Sequence, residues 1–339
     1  MPEGTKDWKL LEVRRIPTGG GRIVCVANQK GGVAKTTTSV NLAAALAQRG
    51  HRTLIVDVDP QSNATTGVGI DHRTVERSSY DLMVGDASLN EVVLPTALDG
   101  LFCAPSSLDL AGAEIELVGS LAREHKLAEA LASATNDYEI IFLDCPPSLG
   151  LITINALVAA QDLLVPVQCE YYALEGLGQL LNTAERVRRS LNPELRIAGV
   201  LLTMYDARTK LSSQVSDEVR SHFGDLVFKT VVPRSVRLSE APSFGEPVVT
   251  LDPSSRGSIS YKLLAAELAA RYGIEEDSQP RPRARVSPAG TADRPATPGP
   301  GGRGYGTVTP EPDDLHLDWP RTEPWSEIDL AEPSPAKER

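Results

Sequence analysis

Short runs of apolar, mainly β-branched residues alternate along the chain with longer stretches whose apolar positions recur every three or four residues. The short runs predict strands that are buried on both faces, and the longer stretches predict amphipathic helices. The predicted strands are residues 23–27, 53–58, 101–104, 140–143, 163–167 and 197–203, and the predicted helices are residues 36–49, 113–132, 174–191, 213–223 and 259–272. Regular alternation of this kind predicts an α/β fold, a mostly parallel sheet with helices on both faces.

The alternating pattern occupies residues 22–273, which we interpret as one domain because no internal repeat is visible in it. Residues 1–21 end in Thr18-Gly19-Gly20-Gly21 and predict a flexible leader. The leader lacks the apolar stretch of a signal peptide, and no run in the chain approaches the roughly 18 apolar residues that span a bilayer. We therefore expect a cytoplasmic protein that makes no membrane contact.

Residues 274–339 differ from the rest of the chain, with 12 of the 25 prolines and almost no apolar periodicity. This composition is typical of disordered segments. Within this tail, residues 281–303 carry five arginines and one aspartate, whereas residues 311–339 carry nine acidic and three basic side chains. Trp319 and Trp325 interrupt the acidic part, so the tail is either a solvated segment or one that binds a partner.

The net charge of −11 argues against a uniformly basic nucleic-acid-binding protein. The charge is spread over the chain, with −5 in residues 274–339 and −6 in the remainder. Any contact with DNA must therefore come from a local group of arginines and lysines.

The most specific motif follows the first predicted strand. Residues 28–38 read Asn-Gln-Lys-Gly-Gly-Val-Ala-Lys-Thr-Thr-Thr, so a glycine-rich turn joins a buried strand directly to a helix. This geometry directs backbone N–H groups and a helix N-terminus towards one point, which suits a polyphosphate. In such a loop Lys35 would reach the β- and γ-phosphates, and the Thr36 hydroxyl would bind Mg²⁺.

The loop departs from the ordinary P-loop pattern, because Gln29 and Ala34 stand at its two glycine positions. It fits a variant in which an additional lysine, Lys30, precedes Lys35 by five residues. This variant resembles the deviant Walker A loop of the ParA/MinD superfamily of P-loop ATPases. The resemblance implies a P-loop NTPase fold, and it implies that Lys30 crosses a dimer interface to the nucleotide of the other subunit. The nucleotide-binding residues that it implies are Lys30, Gly31, Gly32, Val33, Ala34, Lys35, Thr36, Thr37, Met204 and Pro233.

Aspartates follow two of the other predicted strands. Asp57 lies near the end of strand 53–58, Asp59 follows that strand directly, and Asp144 follows strand 140–143. Carboxylates at the carboxyl ends of buried parallel strands lie where open α/β sheets bind ligands, and Mg²⁺ beside a triphosphate needs such oxygen ligands. Both segments resemble motifs of the superfamily. That resemblance implies that Asp59 orients the attacking water, while Asp57 and Asp144 contribute to the Mg²⁺ site.

Three further segments, residues 166–176, 203–209 and 232–243, resemble the short chromosomal ParA proteins, often called Soj. The resemblance implies a slow ATPase that partitions chromosomes or plasmids and uses ATP with Mg²⁺. Its ATP-bound homodimer would bind the DNA of the nucleoid without sequence preference, and a ParB-type partner would stimulate hydrolysis. The chain also lacks the Asn/Thr-Lys-x-Asp motif that reads guanine.

The same resemblance implies that Arg208 and Arg237 contact DNA. Arg208 and Lys210 follow predicted strand 197–203, and Arg234 and Arg237 follow a short predicted strand at residues 230–232. If these strands are neighbours, their ends bring the two loops together into one basic surface.

Two other functions share this loop. A MinD-like positioning ATPase would end in a basic amphipathic helix that binds membranes, whereas this chain ends in a proline-rich acidic tail. A reductase resembling nitrogenase iron protein would need cysteines exposed at a dimer axis. Here the four cysteines, Cys25, Cys103, Cys145 and Cys169, form no Cys-x-x-Cys pair, and three lie in apolar runs, which predicts buried, reduced thiols.

Overall fold

In the computed structural model, which describes residues 21–170 and 173–274, six of the seven strands of the sheet are those that the sequence predicts. The predicted leader (1–21) and tail (274–339) lie outside the described residues except for Gly21 and Ile274. The strands are β1 (Arg22–Val26), β2 (Thr53–Asp57), β3 (Leu94–Pro95), β4 (Leu101–Ala104), β5 (Ile140–Asp144), β6 (Asp162–Gln168) and β7 (Arg196–Thr203).

The strands are arranged in the order β3-β4-β2-β5-β1-β6-β7, and every pairing except β3 with β4 is parallel. The mostly parallel sheet is therefore confirmed. The antiparallel strand β3 was not predicted, because it is two residues long and contains Pro95. A proline lacks the N–H that a central strand needs, and β3 lies at the edge of the sheet, where this is tolerated.

Four of the five predicted helices form within three residues of their predicted bounds. The helices are α1 (Lys35–Gln48), α2 (Asn63–Gly67), α3 (Ser79–Val84), α4 (Leu89–Val92), α5 (Leu110–Glu116), α6 (Lys126–Ala130), α7 (Ala134–Asp137), α8 (Leu151–Ala159), α9 (Ala173–Ser190), α10 (Lys210–Phe223), α11 (Val236–Glu240), α12 (Val248–Leu251) and α13 (Arg256–Tyr272). Within the part of the chain that the structure describes, no helix combines the length and the apolar character needed to cross a membrane.

Two predictions of local structure are wrong. The helix predicted at residues 113–132 is broken into α5, a 3₁₀ turn at Leu117–Gly119 and α6, and Ala122 between them has a left-handed backbone with φ +51°. A left-handed residue cannot continue a right-handed helix. The strand predicted at residues 230–232 does not form; only the Val232 N–H joins β7, donating to the Leu202 carbonyl at 2.9 Å.

Helices cover both faces of the sheet, as predicted. Alternate residues of β1 enter two separate cores: Val24 and Val26 pack with α1 and α13, and Ile23 and Cys25 pack with α8 and α9. All four cysteines are buried and free, which confirms the prediction of buried, reduced thiols. A sheet enclosed in this way leaves its functional groups at the carboxyl ends of the strands.

Candidate nucleotide-binding site

The carboxyl ends of β1, β2 and β5 form the edge of the sheet where the phosphate loop and the aspartate segments meet. β5 lies between β1 and β2, and the parallel register pairs Asp144 with Val26 on one side and with Asp57 on the other. The loop that follows β1 therefore starts beside Asp144. The structure brings these three segments, far apart in sequence, to one place.

The phosphate loop, residues 27–34, has a left-handed backbone at Gly32 (φ +73°) and at Ala34 (φ +68°). A Cβ at Gly32 would meet no atom within 4 Å, so this part of the loop borders open space of the kind that phosphates need. Ala34 is the N-terminal cap of α1, and its carbonyl accepts the Thr38 N–H at 2.9 Å. A left-handed conformation costs an alanine about 1–2 kcal/mol, which glycine avoids.

We expect Ala34→Gly to raise the free energy of unfolding by about 1 kcal/mol and the melting temperature by about 2–4 °C, because it relieves this backbone strain. Affinity for ATP should persist, since the loop keeps its path. Thermal melting without nucleotide and ATP titration measure the two effects. Ala122→Gly is the matched control, because Ala122 is also left-handed but lies outside the site. A lower melting temperature for Ala34→Gly would contradict the inference that the backbone at Ala34 is strained.

Lys35 begins α1 and is only 7 % exposed. Its Nζ donates to the Lys30 carbonyl at 3.3 Å, so the side chain folds back under the loop. Burial lowers the pKa of Lys35, and the nearby charges of Asp144 and Asp59 oppose this shift. The ammonium group thus lies enclosed by the loop and close to two carboxylates, which is the position from which a lysine contacts bound phosphates.

Asp144 accepts two hydrogen bonds from α1. Thr36 Oγ1 donates to its Oδ2 at 2.7 Å, and Ser39 Oγ donates to its Oδ1 at 2.7 Å. Thr36 and Ser39 are three residues apart and therefore share one face of the helix. Ser39 was not identified from the sequence: its spacing from Thr36 indicates a shared helix face, but only the fold reveals the contact with Asp144. Thr37, between them, lies in the first turn of α1, where its carbonyl accepts the Asn41 amide.

Asp57 supports the segment that carries Asp59. Its Oδ2 accepts both the backbone N–H of Thr65 (2.8 Å) and the Thr65 hydroxyl (2.7 Å), and its Oδ1 accepts the Asp59 N–H at 3.1 Å. Asp59 in turn accepts the Gln61 N–H on its Oδ1 at 3.0 Å. Among the residues that the structure describes, no hydrogen bond reaches the other oxygen of Asp59, so it can still accept one from a water molecule.

A cation nearby would stabilise the charged forms of the buried carboxylates. Burial raises the pKa of Asp57 to about 6 and that of Asp144 to about 7, and the charge of Asp57 adds to the effect on Asp144. The described residues contain no cluster of three or more His, Cys, Asp or Glu side chains that forms a complete metal site. The Thr36 hydroxyl and the Asp144 carboxylate are oxygen ligands that suit Mg²⁺, which commonly takes its remaining ligands from phosphates and water.

The Lys30 side chain is partly exposed and forms an ion pair with Glu170. Its Nζ lies 3.2 Å from Glu170 Oε2, and the two side chains are 37 % and 49 % exposed. The Lys30 N–H donates to Asn28 Oδ1 (3.0 Å), and Asn28 Nδ2 donates to the Pro166 carbonyl (2.7 Å), which fixes this part of the loop to β6. An exposed ion pair contributes only about 0.2–1 kcal/mol, so Lys30 can exchange Glu170 for another anion at little cost.

The end of β7 lies beside the phosphate loop. Thr203 Oγ1 donates to the Val33 carbonyl at 3.1 Å, which places Met204, with its left-handed backbone (φ +51°), at the same edge of the sheet. Pro233 is bridged to Tyr205, the next residue after Met204. Met204 and Pro233 are thus near neighbours, although about thirty residues separate them in the sequence.

The two loops with the predicted DNA-binding arginines are also joined, because the Arg234 N–H donates to the Tyr205 carbonyl at 3.0 Å. Arg208 follows β7 and its side chain is 87 % exposed; Arg237 lies in α11 and its side chain is 58 % exposed. Both guanidinium groups contact carboxylates, Arg208 with Asp206 and Arg237 with Glu240 and Asp252. The carboxylates that pair with Arg208 and Arg237 were not predicted from the sequence.

Comparison with known proteins agrees with this geometry. A family model described as an AAA domain matches residues 21–197. The sporulation initiation inhibitor protein Soj of Bacillus subtilis is 56 % identical over 250 residues, covering 74 % of this chain and 99 % of that protein. The chromosome partitioning protein ParA of Myxococcus xanthus is 49 % identical over 267 residues, with 79 % and 93 % covered. The structure of cobyrinic acid a,c-diamide synthase from Mycobacterium smegmatis with ADP and magnesium is similar, with a TM-score of 0.66, 37 % identity and 75 % and 96 % coverage.

Proposed function

The chain belongs to the ParA/MinD superfamily as a Soj-type chromosome-partitioning ATPase, and from this premise we propose that its ATP-bound dimer binds DNA without sequence preference and leaves it after hydrolysis. It uses ATP and Mg²⁺. The observation that carries the proposal is the meeting of Lys35, Thr36 and Asp144 at one sheet edge, with Lys30 partly exposed and paired with Glu170.

In this proposal the phosphate loop holds the triphosphate through the N–H groups of residues 31–37, and Lys35 neutralises the β- and γ-phosphates. Thr36 and Asp144 would hold Mg²⁺, and Asp57, which is paired with Asp144 in the sheet, would help to hold the magnesium shell. The bound metal supplies charge neutralisation for the transferred phosphoryl group. Asp59 orients the attacking water through the carboxylate oxygen that no described residue occupies. Met204 and Pro233 border the nucleotide at the end of β7.

Dimerisation completes the site in this proposal. Lys30 leaves Glu170 and contacts the nucleotide of the other subunit, which the exposure of its side chain and the low stability of the ion pair permit. A two-fold dimer then presents each surface twice. Hydrolysis removes the phosphate that Lys30 contacts and so weakens the dimer.

DNA contact is assigned to Arg208 and Arg237, together with Lys210 and Arg234 in the same two loops. Contacts to phosphates are independent of base sequence and weaken steeply with salt. A single copy offers few such contacts, and a dimer offers twice as many, so binding depends on ATP. A ParB-type partner on the chromosome would stimulate hydrolysis, and the nucleoid would be the place of action.

We expect Arg208→Glu and Arg237→Glu each to weaken DNA binding about tenfold or more, because each reverses a charge twice in the dimer. ATP binding and dimerisation should survive. The measurement is binding of the full-length protein to a non-specific duplex in ATP, in ADP and without nucleotide. Arg189→Glu is the control. Arg189 is 70 % exposed and ion-paired, but it lies at the end of α9, before the start of β7, whereas Arg208 follows the end of β7.

Two outcomes would contradict this assignment. Equal binding in ATP and ADP would refute the dependence on nucleotide. Normal binding by the Arg208/Arg237 double variant, with loss of binding on deletion of residues 275–339, would move the contact to the arginine-rich stretch 281–303.

A further inference from the structure

Asp206 holds Arg208 by three hydrogen bonds. Arg208 Nε donates to Asp206 Oδ1 at 2.9 Å, Nη2 donates to Oδ2 at 2.7 Å, and the Arg208 backbone N–H donates to Oδ1 at 3.0 Å. These contacts with Arg208 lower the pKa of Asp206 to about 2, and Arg234 contributes to the shift. Asp206 is therefore ionised at any physiological pH, and the ion pair is a permanent part of this surface.

The ion pair leaves Arg208 able to bind a phosphate. A guanidinium group has five N–H donors, and Asp206 uses two of them. The side chain is 87 % exposed, so its outer edge faces solvent. A phosphate bound at that edge would lie within about one Debye length of the Asp206 carboxylate, roughly 10 Å at 0.1 M salt, and would be repelled by it.

Carboxylates offset positive charge over the whole surface formed by the two loops. Arg237 contacts Glu240 at 3.2 Å and Asp252 at 3.4 Å. The four basic residues Arg208, Lys210, Arg234 and Arg237 are therefore accompanied by three carboxylates, and these seven side chains together carry a net charge of +1. A surface with so little net charge binds DNA weakly unless it is doubled.

We propose that Asp206 is a positioning residue that holds the Arg208 side chain towards solvent. Its negative charge also lowers the affinity of the dimer for DNA and reduces the dependence of that affinity on salt concentration. This inference rests on the proposed function, and it adds the residue that sets the strength of the contact. Weak binding of this kind makes the dimer depend on ATP, because one copy of the surface falls short of stable attachment.

The test is Asp206→Asn in the full-length protein, with binding to a non-specific duplex measured in ATP over a series of salt concentrations. Asparagine keeps an oxygen for the Arg208 N–H, so the turn should persist, and thermal melting checks this. We expect binding about three- to tenfold tighter at low salt, since one repulsive charge per protomer is removed. We also expect a log–log salt dependence steeper by about 1–2, which a merely structural effect would not produce.

Glu185→Gln is the charge-matched control. Glu185 also pairs with two arginines, Arg188 and Arg189. It lies in the C-terminal half of α9, before the start of β7, whereas Asp206 follows the end of β7. It should leave DNA binding unchanged. If Asp206→Asn binds no more tightly than the unmodified protein, or if Glu185→Gln tightens binding equally, the inference is overturned while the proposed function stands. If the unmodified protein does not bind DNA in ATP, the proposed function itself fails, and this inference with it.

Discussion

Replacing Lys35 by alanine should reduce ATP affinity by about 100-fold or more. Lys35 is 7 % exposed, and its Nζ donates to the Lys30 carbonyl at 3.3 Å, so the variant loses a cation that the phosphate loop encloses.

 Loss of this charge also removes a cation that interacts with the carboxylates of Asp144 and Asp59, so their repulsion of the phosphates increases. Titration of ATP against the purified variant measures the effect.

Lys210→Ala is the control for this experiment. It removes the same side chain from the exposed start of α10, outside the phosphate loop, and should leave ATP affinity unchanged. A melting temperature close to that of the unmodified protein shows that Lys35→Ala still folds. ATP binding at normal strength by a folded Lys35→Ala protein would rule out the assigned phosphate contact.

Asp59→Ala should bind ATP and dimerise, yet its rate of ATP hydrolysis should be lower by about 100-fold or more. Asp59 is buried, and one of its carboxylate oxygens is fixed by the Gln61 N–H, which orients the other. Removing it takes away the positioning of water while the phosphate loop stays intact. Phosphate release measures turnover, and light scattering with ATP measures the dimer.

Asp71→Ala serves as the control for Asp59→Ala, because Asp71 is an exposed aspartate on a nearby segment of the chain. Its turnover should be normal. The assigned role of Asp59 is wrong if Asp59→Ala turns over ATP at the normal rate. If it fails to bind ATP, Asp59 supports the loop and does not act on water.

The sheet and the phosphate loop were predictable from the sequence because their signals are local. Runs such as 140–143 are apolar throughout, and only a strand covered on both faces buries every residue of such a run. The loop from Lys30 to Thr36 combines strand, turn and helix within a few residues. The pairing of Arg208 with Asp206 was not predicted, although its signal is also local: the sequence Asp-x-Arg-Thr also occurs at residues 71–74, where Arg73 pairs with Asp71 in the same way.

The features that were not predicted from the sequence depend on contacts between distant segments of the chain. The periodicity of residues 113–132 fits a single helix, and only the packed structure shows the left-handed residue Ala122 that breaks it. Asp252 reaches Arg237 from 15 positions away in the sequence, so no local pattern reveals that pair. The hydrogen bond from Ser39 to Asp144 likewise joins residues that only the fold brings together.

The hydrogen bond from Thr203 to Val33 joins the phosphate loop to the end of β7. Five residues further along the chain lies Arg208, within about 18 Å even if the backbone were fully extended. The Arg234 N–H ties the second arginine loop to the same stretch at Tyr205. In each protomer, two hydrogen bonds and a short stretch of backbone therefore connect the phosphate loop with both arginine loops.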